Sequence, residues 1–190
     1  MEIDYKKYKW FFTSGGKLVV GGKSALQNDE LLARLKRMGG DFFVMHTHEP
    51  GSPFCAIIAE DNKVTKKDLE ECAVFTGCFS RAWRSGKKKT EVDIFKLGDV
   101  SKGGGMKVGT WGVKNKIERK EVELKLVLVK QDGVLRAVPE KSAEKKLAIV
   151  FPGKIDKNKI ADDIRNKLKD KKIMNDEILS ALPAGGVRIE

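Results

Sequence analysis

A helix that is apolar nearly all round cannot lie on a surface, and one stretch of this 190-residue chain reads as such a helix. Thr65 and Asp68 form a capping pair at its start. Glu70 and Glu71 suit the positive end of its dipole, and Arg81 and Arg84 suit the negative end. Between them Ala73-Val-Phe-Thr-Gly-Cys-Phe79 offers no polar stripe. The segment predicts a central buried helix and a fold that supplies apolar surface on more than one side of it. Trp83 continues the face that carries positions 69, 72, 76 and 79, so it is expected to anchor the helix end in the core.

The flanking sequence reads mostly as strands. Trp10–Thr13 and Leu18–Val20, on either side of Ser14-Gly15-Gly16, predict an opening hairpin. Gly21-Gly22 breaks the chain, and Ser24 with Gln27 forms a capping box for a first helix. Leu31, Leu32, Leu35 and Met38 are its apolar face, and Gly39-Gly40 ends it. Phe42–Met45 and Phe54–Ala59 predict buried strands joined by the loop His46–Pro53. Further strands are expected at Val92–Leu97, at Val108–Val113 and along the alternating Val122, Leu124, Leu126 and Leu128. Asp132-Gly133 is a hairpin turn into Val134–Val138.

A composition shift follows at Glu140–Lys146. Beyond it, Leu147–Phe151 reads as a strand, and Asp156 caps a helix bearing Ile160, Ile164 and Leu168. A short helix around Ile178–Leu182 stops at Pro183, and residues 185–189 can add a final strand. The expected fold class is α+β, with a mixed or antiparallel sheet packed against the buried helix. Residues 1–140 would form that domain, and residues 141–190 a small C-terminal α/β appendage.

The chain carries a net charge of +11 with both histidines neutral, and the location of the charge matters more than its size. Residues 1–80 are balanced, whereas residues 81–120 hold 12 basic and 4 acidic side chains. A localised positive field of this kind draws in a polyanion. Hydrophobic residues make up 41% of the chain, enough to bury a core, which excludes a wholly disordered protein. No apolar run approaches the ~18 residues of a membrane span, and no basic-then-apolar leader opens the chain. Cys55, Cys72 and Cys78 are odd in number and lack C-x-x-C spacing, so they read as reduced, buried thiols. A cytoplasmic protein with no membrane contact is expected.

His46 and His48 would project from one face of a strand. A metal would need a third ligand, and the nearest carboxylate, Glu49, alternates to the other face, so no metal site is expected. Beside Gly51-Ser52-Pro53 the same pair can stack on bases or bond phosphates, or His46 can be satisfied within a tight loop. Arg81, Arg84, Lys87, Lys88 and Lys89 cluster at the helix end, where they can clamp phosphates. The glycine-rich Ser101–Gly109 segment, with Lys102 and Lys107, matches neither the phosphate-loop pattern nor the dinucleotide fingerprint. Its backbone amides can still cradle a phosphate. There is no G-x-S-x-G elbow and no Cys/His pair with an orienting group, so neither catalytic residues nor a cofactor is expected.

Taken together, these motifs resemble the NFACT RNA-binding domain. The resemblance rests on Tyr8-Lys-Trp-Phe-Phe-Thr-Ser14, Leu18-Val-Val-Gly-Gly22 and Gln27-Asn-Asp-Glu30, then on His46-x-His48 with Gly51-Ser-Pro53. It continues through the helix ending at Trp83, Ser101-Lys102 and Val108-Gly-Thr-Trp-Gly-Val113, and covers roughly residues 5–128. The tail Leu182-Pro-Ala-Gly-Gly-Val-Arg-Ile189 is similar to the end of archaeal quality-control factors. The resemblance implies an α+β RNA-binding module of factors that bind tRNA and the obstructed large ribosomal subunit. Those factors also contain an N-terminal domain, helix-hairpin-helix segments and a coiled coil, which this sequence lacks. It is then either a stand-alone archaeal-type member, which Met1 directly before the motif favours, or an excised domain. A protein partner could supply the missing parts.

The function expected is RNA binding, on tRNA or ribosomal RNA of the large subunit, in quality control or rescue of stalled ribosomes. Lys87, Lys88, Lys89, Lys102 and Lys107 would contact phosphates and Arg81 and Arg84 would flank the groove. The loop carrying His46, His48 and Ser52 would add polar or stacking contacts. The rival class is an RNA-modification-associated or RNA-cleaving enzyme in which His46 and His48 divide acid and base roles. A DNA partner is a third reading, because phosphate contacts alone do not read the 2′-hydroxyl.

Overall fold

The computed structural model describes residues 3–168 and 172–190. The opening hairpin pairs β1 (Lys9–Phe12) with β2 (Leu18–Gly21), and α1 (Ala25–Met38) follows directly. Next come β3 (Phe43–Thr47), β4 (Cys55–Ile58), the long helix α2 (Lys66–Cys78), the single turn α3 (Arg81–Arg84) and β5 (Lys89–Lys96). A small ribbon of β6 (Val100–Ser101) and β7 (Gly112–Val113) precedes β8 (Glu118–Glu123). Six of these strands form one antiparallel sheet in the order β1-β2-β4-β3-β5-β8.

Strand alternation sorts this sheet into two apolar faces. Trp10, Val20, Ala56, Val44 and Phe95 stand in register across five strands and pack with Leu31, Leu32 and Leu35 of α1. Phe11, Val19, Ile57, Met45 and Ile94 face the other way, onto Phe75 and its neighbours in α2. The helix expected to be buried is therefore the centre of the larger core, and its Thr65–Asp68 capping box is present.

The helix is shorter than the sequence implied. Ser80 donates to the Gly77 carbonyl and accepts the Ala82 N–H, so it closes one helix and caps another. Arg81 consequently starts α3 instead of sitting on the last turn of α2.

The alternation from Val122 to Leu128 is also divided. At Leu124-Lys125 the chain leaves the first sheet and enters a second one, built from β9 (Leu126–Gln131), β10 (Val134–Val138), β11 (Ala148–Asp156) and β12 (Gly186–Ile189). The turn at Asp132-Gly133 has both residues at positive φ, as a type I′ hairpin requires. Helices α4 (Lys157–Leu168) and α5 (Asn175–Ala181) pack on this sheet, and Asp156 caps α4 by accepting the Asn158 N–H. Because β9 pairs with β11 as well as β10, one sheet spans the boundary expected at residue 140.

Polar side chains join the two sheets at the free edge of β1. Gln131 accepts from the Phe12 N–H and donates to the Phe12 carbonyl, copying a strand's hydrogen bonds. Arg136, buried against the Trp10 ring, donates to the Trp10 carbonyl. Glu71 of α2, only 1% exposed, accepts from the Ser14 N–H, the Ser14 hydroxyl and the Ser142 hydroxyl. Among the described residues no helix is long and apolar enough to cross a membrane.

Candidate nucleic-acid interface

Strands β2 and β3 end, and β4 begins, at one end of the larger sheet, where Gly21 and Met45 both pair with Cys55. The start of α1, Arg81 and the β6–β7 loop complete a cleft there of about 670 Å³.

The β3–β4 loop is braced from inside. The Ser52 hydroxyl accepts the Thr47 N–H and donates to the Pro53 carbonyl, while the Thr47 hydroxyl donates to the Glu49 carbonyl. Gly51 has φ +114°, and a Cβ there would lie 2.4 Å from the Arg81 side chain, so only glycine lets Arg81 cross the loop. The Gly51 carbonyl also accepts the Arg81 N–H.

Both histidines line the cleft, and each has one ring nitrogen engaged. His46 packs 4.6 Å from the Phe54 ring, and its Nδ1 lies 2.7 Å from the Thr47 carbonyl. A carbonyl can only accept, so that nitrogen carries the proton. Burial pushes the His46 pKa below its ordinary value, against the opposing pull of the Thr47 and Ser52 backbone and of Asp93. The folded ring thus resists protonation more than the unfolded one. Its stabilising contribution is complete above pH ~6.5 and is lost as the pH falls from there toward the lowered folded value. Urea midpoints at pH 8 and pH 5.5 should show this loss, and His46→Phe should make it smaller.

His48 receives an Arg119 N–H at 2.5 Å, and Arg119 also binds Asp93 through two nitrogens. Glu49 turns away to Lys87. Among the described residues no group of three or more His, Cys, Asp or Glu side chains is placed to hold a metal ion.

The loop with Lys102 and Lys107 was expected at the site, but the α1 carboxylate that holds it there was not. Asp29, in the second turn of α1, takes the Gly109 N–H and the Trp111 indole N–H on one oxygen and Lys102 on the other. Burial would raise the pKa of this carboxyl, but the bonds from Lys102, Gly109 and Trp111 outweigh it and hold the pKa below the ordinary value. Gly109 has φ +78°, and a Cβ on it would sit 2.6 Å from the Ala25 Cβ, so the loop can lie on the helix only through a glycine. One residue earlier, Asn28 is buried and its carbonyl oxygen accepts the Phe54 N–H. The sequence signal for both was Gln27-Asn-Asp-Glu30, whose chemistry becomes visible only once the loop is in place.

The ten expected contact residues do not form one continuous patch. His46, His48, Ser52 and Arg81 line the cleft. Lys102 is held on its loop wall by Asp29, and Lys107 is exposed on the same loop. Lys87 and Lys89 open onto an adjoining hollow beyond His48, where they pair with Glu49 and Glu121. Lys88 is exposed on the same turn, and Arg84 lies on the side facing Gly185. Lys23, absent from the expected set, is exposed at the cleft beside α1, and no acidic partner approaches it among the described residues.

Residues 7–115, more than half of the chain, match the family described as the NFACT protein RNA binding domain. The chain belongs to that family. It is 29% identical to the archaeal Rqc2 homolog aRqcH of Methanocaldococcus jannaschii, in an alignment covering 97% of this chain and 29% of that protein. It is 30% identical to ribosome quality control complex subunit 2 of Schizosaccharomyces pombe, over 76% of this chain and 14% of that protein. The chain therefore spans under a third of the length of these relatives. The C-terminal structure of the fibronectin/fibrinogen-binding protein from Streptococcus suis shares the fold at a TM-score of 0.51 and 22% identity. That match covers 62% of this chain and 44% of the other.

Proposed function

We propose that this chain is an RNA-binding module of ribosome quality control that grips tRNA or ribosomal RNA at the cleft and carries out no chemistry itself. The observation that carries this reading is convergence. Gly22, Asn28, His46, Gly51-Ser52-Pro53 and Val108–Trp111, scattered along the family-matched stretch, all line one cleft. Cations stand at its rim, Arg81 and Lys23 without acidic partners among the described residues. The longer relatives, named for ribosome quality control, support the ribosomal context. Under this reading the protein works in the cytoplasm, in contact with RNA of the large ribosomal subunit or with tRNA.

Lys87, Lys88 and Lys89 extend the phosphate track beyond His48. Their surface pairs with Glu49 and Glu121 are no obstacle, because exposed ion pairs contribute only ~0–1 kcal/mol. Each phosphate contact removed should lower the slope of log affinity against log salt by about 0.7–0.9. The test is a salt titration on tRNA and on duplex DNA of equal length, beside sedimentation with ribosomal subunits. Co-sedimentation with the large subunit and a preference for tRNA are expected, with a shallower slope in the Lys87/Lys88/Lys89 triple alanine variant. An unchanged slope would remove these lysines from the interface. Equal binding to both nucleic acids with no subunit association would reduce the protein to a generic polyanion binder.

A further inference from the structure

Building on the reading of the cleft as an RNA site, we propose that it seats one unstacked nucleotide, its base on Trp111 and its phosphate between Lys23 and Arg81. The protein would accordingly select unpaired RNA over duplex.

The size and shape of the cleft argue first. A concavity of about 670 Å³ falls within the ~300–1,000 Å³ range of sites that enclose a small molecule. An A-form duplex offers only its backbone and shallow groove to such a hollow, because its bases are stacked inside the helix. A base that is single-stranded or turned out of its stack can enter.

The lining argues next. Trp111 and the His46 ring, the latter backed by the buried Phe54, supply flat apolar surface, while Lys23 and Arg81 supply positive charge. Lys23 is also partly desolvated, with its pKa lowered by burial and by Arg136, so its ammonium would gain from an anion beside it.

Trp111 itself is the most specific observation. The other two indoles, Trp10 and Trp83, are buried in the core, whereas Trp111 stays partly exposed on the cleft wall. It is nonetheless fixed, because its N–H is anchored 2.7 Å from Asp29. Its loop neighbours Val108 and Val113 are left 60% and 41% exposed. The ring packs against the core beside α1, and the Lys102 ammonium stands 5.6 Å from its centre. The part left exposed, rigid and among uncovered apolar side chains, is a stacking platform, and stacking tolerates any base because every base has a π-face. Base preference is therefore expected to be weak and strandedness preference strong.

Intrinsic fluorescence gives a direct test, since Trp111 is the indole that a ligand can reach. The full chain is titrated with an unstructured single-stranded RNA of about 24 nucleotides and with a blunt RNA duplex of about 12 base pairs, so that the two carry nearly the same number of phosphates. The single strand should bind about tenfold or more tighter and quench the emission, and the duplex should leave the emission unchanged. Trp111→Ala should lose about tenfold for the single strand with duplex binding intact. Lys23→Gln and Arg81→Gln should weaken the single strand while the quench at saturation persists. If Trp111→Ala does not fold, the titration of the unaltered chain still decides. Equal binding of the two RNAs without a quench would overturn the proposal and leave the RNA-binding reading standing. Binding of neither RNA would overturn both.

Discussion

Trp83→Ala is expected to cost about 3–5 kcal/mol of stability, the range found when a large aromatic side chain is cut from a core. That is a large share of the ~5–15 kcal/mol that holds a typical domain together. Trp83 is 1% exposed, on the single turn α3, and its indole N–H donates to the Gly186 carbonyl at the start of β12. The two backbones are so close that a Cβ on Gly185 would lie 2.8 Å from the Arg84 Cα. One side chain thus ties the family-matched region to the last strand of the second sheet. Urea unfolding would measure the loss, and Trp83→Phe should retain most of the packing while losing the hydrogen bond. A loss below about 1 kcal/mol for the alanine variant would mean that β12 holds its place without this anchor. Because Arg81 starts the same turn, RNA affinity should fall with the fold, so binding must be compared where both proteins remain folded.

Trp83 is buried as the sequence implied, although the helical period behind that reading is interrupted at Ser80. Much of the rest of the fold was legible from local signals. The Thr65–Asp68 cap, the Asp132-Gly133 turn and the opening hairpin each depend on residues adjacent in the chain. What escaped depends on distant residues. Val122, Leu124, Leu126 and Leu128 alternate without interruption although β8 and β9 belong to different sheets. Alternation records which side of a strand is buried and says nothing of which neighbours bury it. The end of α2 was hidden for a related reason. Ser80 fits a helix interior by composition, and only its bonds to Gly77 and Ala82 reveal a stop and a new start. In the basic run, Lys87 and Lys89 look free in sequence because Glu49 reaches Lys87 from the β3–β4 loop and Glu121 reaches Lys89 from β8.

Asp29 is the sharpest instance, because its partners Gly109 and Trp111 lie 80 and 82 residues away. Asp29→Ala is expected to release the β6–β7 loop, at a cost of about 1–3 kcal/mol from donors left without an acceptor. Trp111 emission should shift to the red as its ring meets water. The contribution is pH-dependent with a definite sign. The folded pKa lies below the unfolded one, so the stabilisation is complete above the unfolded value and is lost as the pH falls through the folded value. The alanine variant should therefore lose less stability than the parent on acidification below pH ~4. For RNA binding, two effects oppose each other. Removing the carboxylate frees Lys102 and raises the net charge by one, which alone would tighten binding and steepen its salt dependence. It also leaves Trp111 and the loop to be ordered by the RNA, at ~1–2 kcal/mol for each residue's backbone. Several residues must be ordered against a single cation gained, so the ordering cost should dominate. Affinity should fall while the salt slope stays level or rises. A variant that instead binds more tightly with an unchanged tryptophan spectrum would show that the loop holds its shape without Asp29, and that the carboxylate acts on RNA only through its charge.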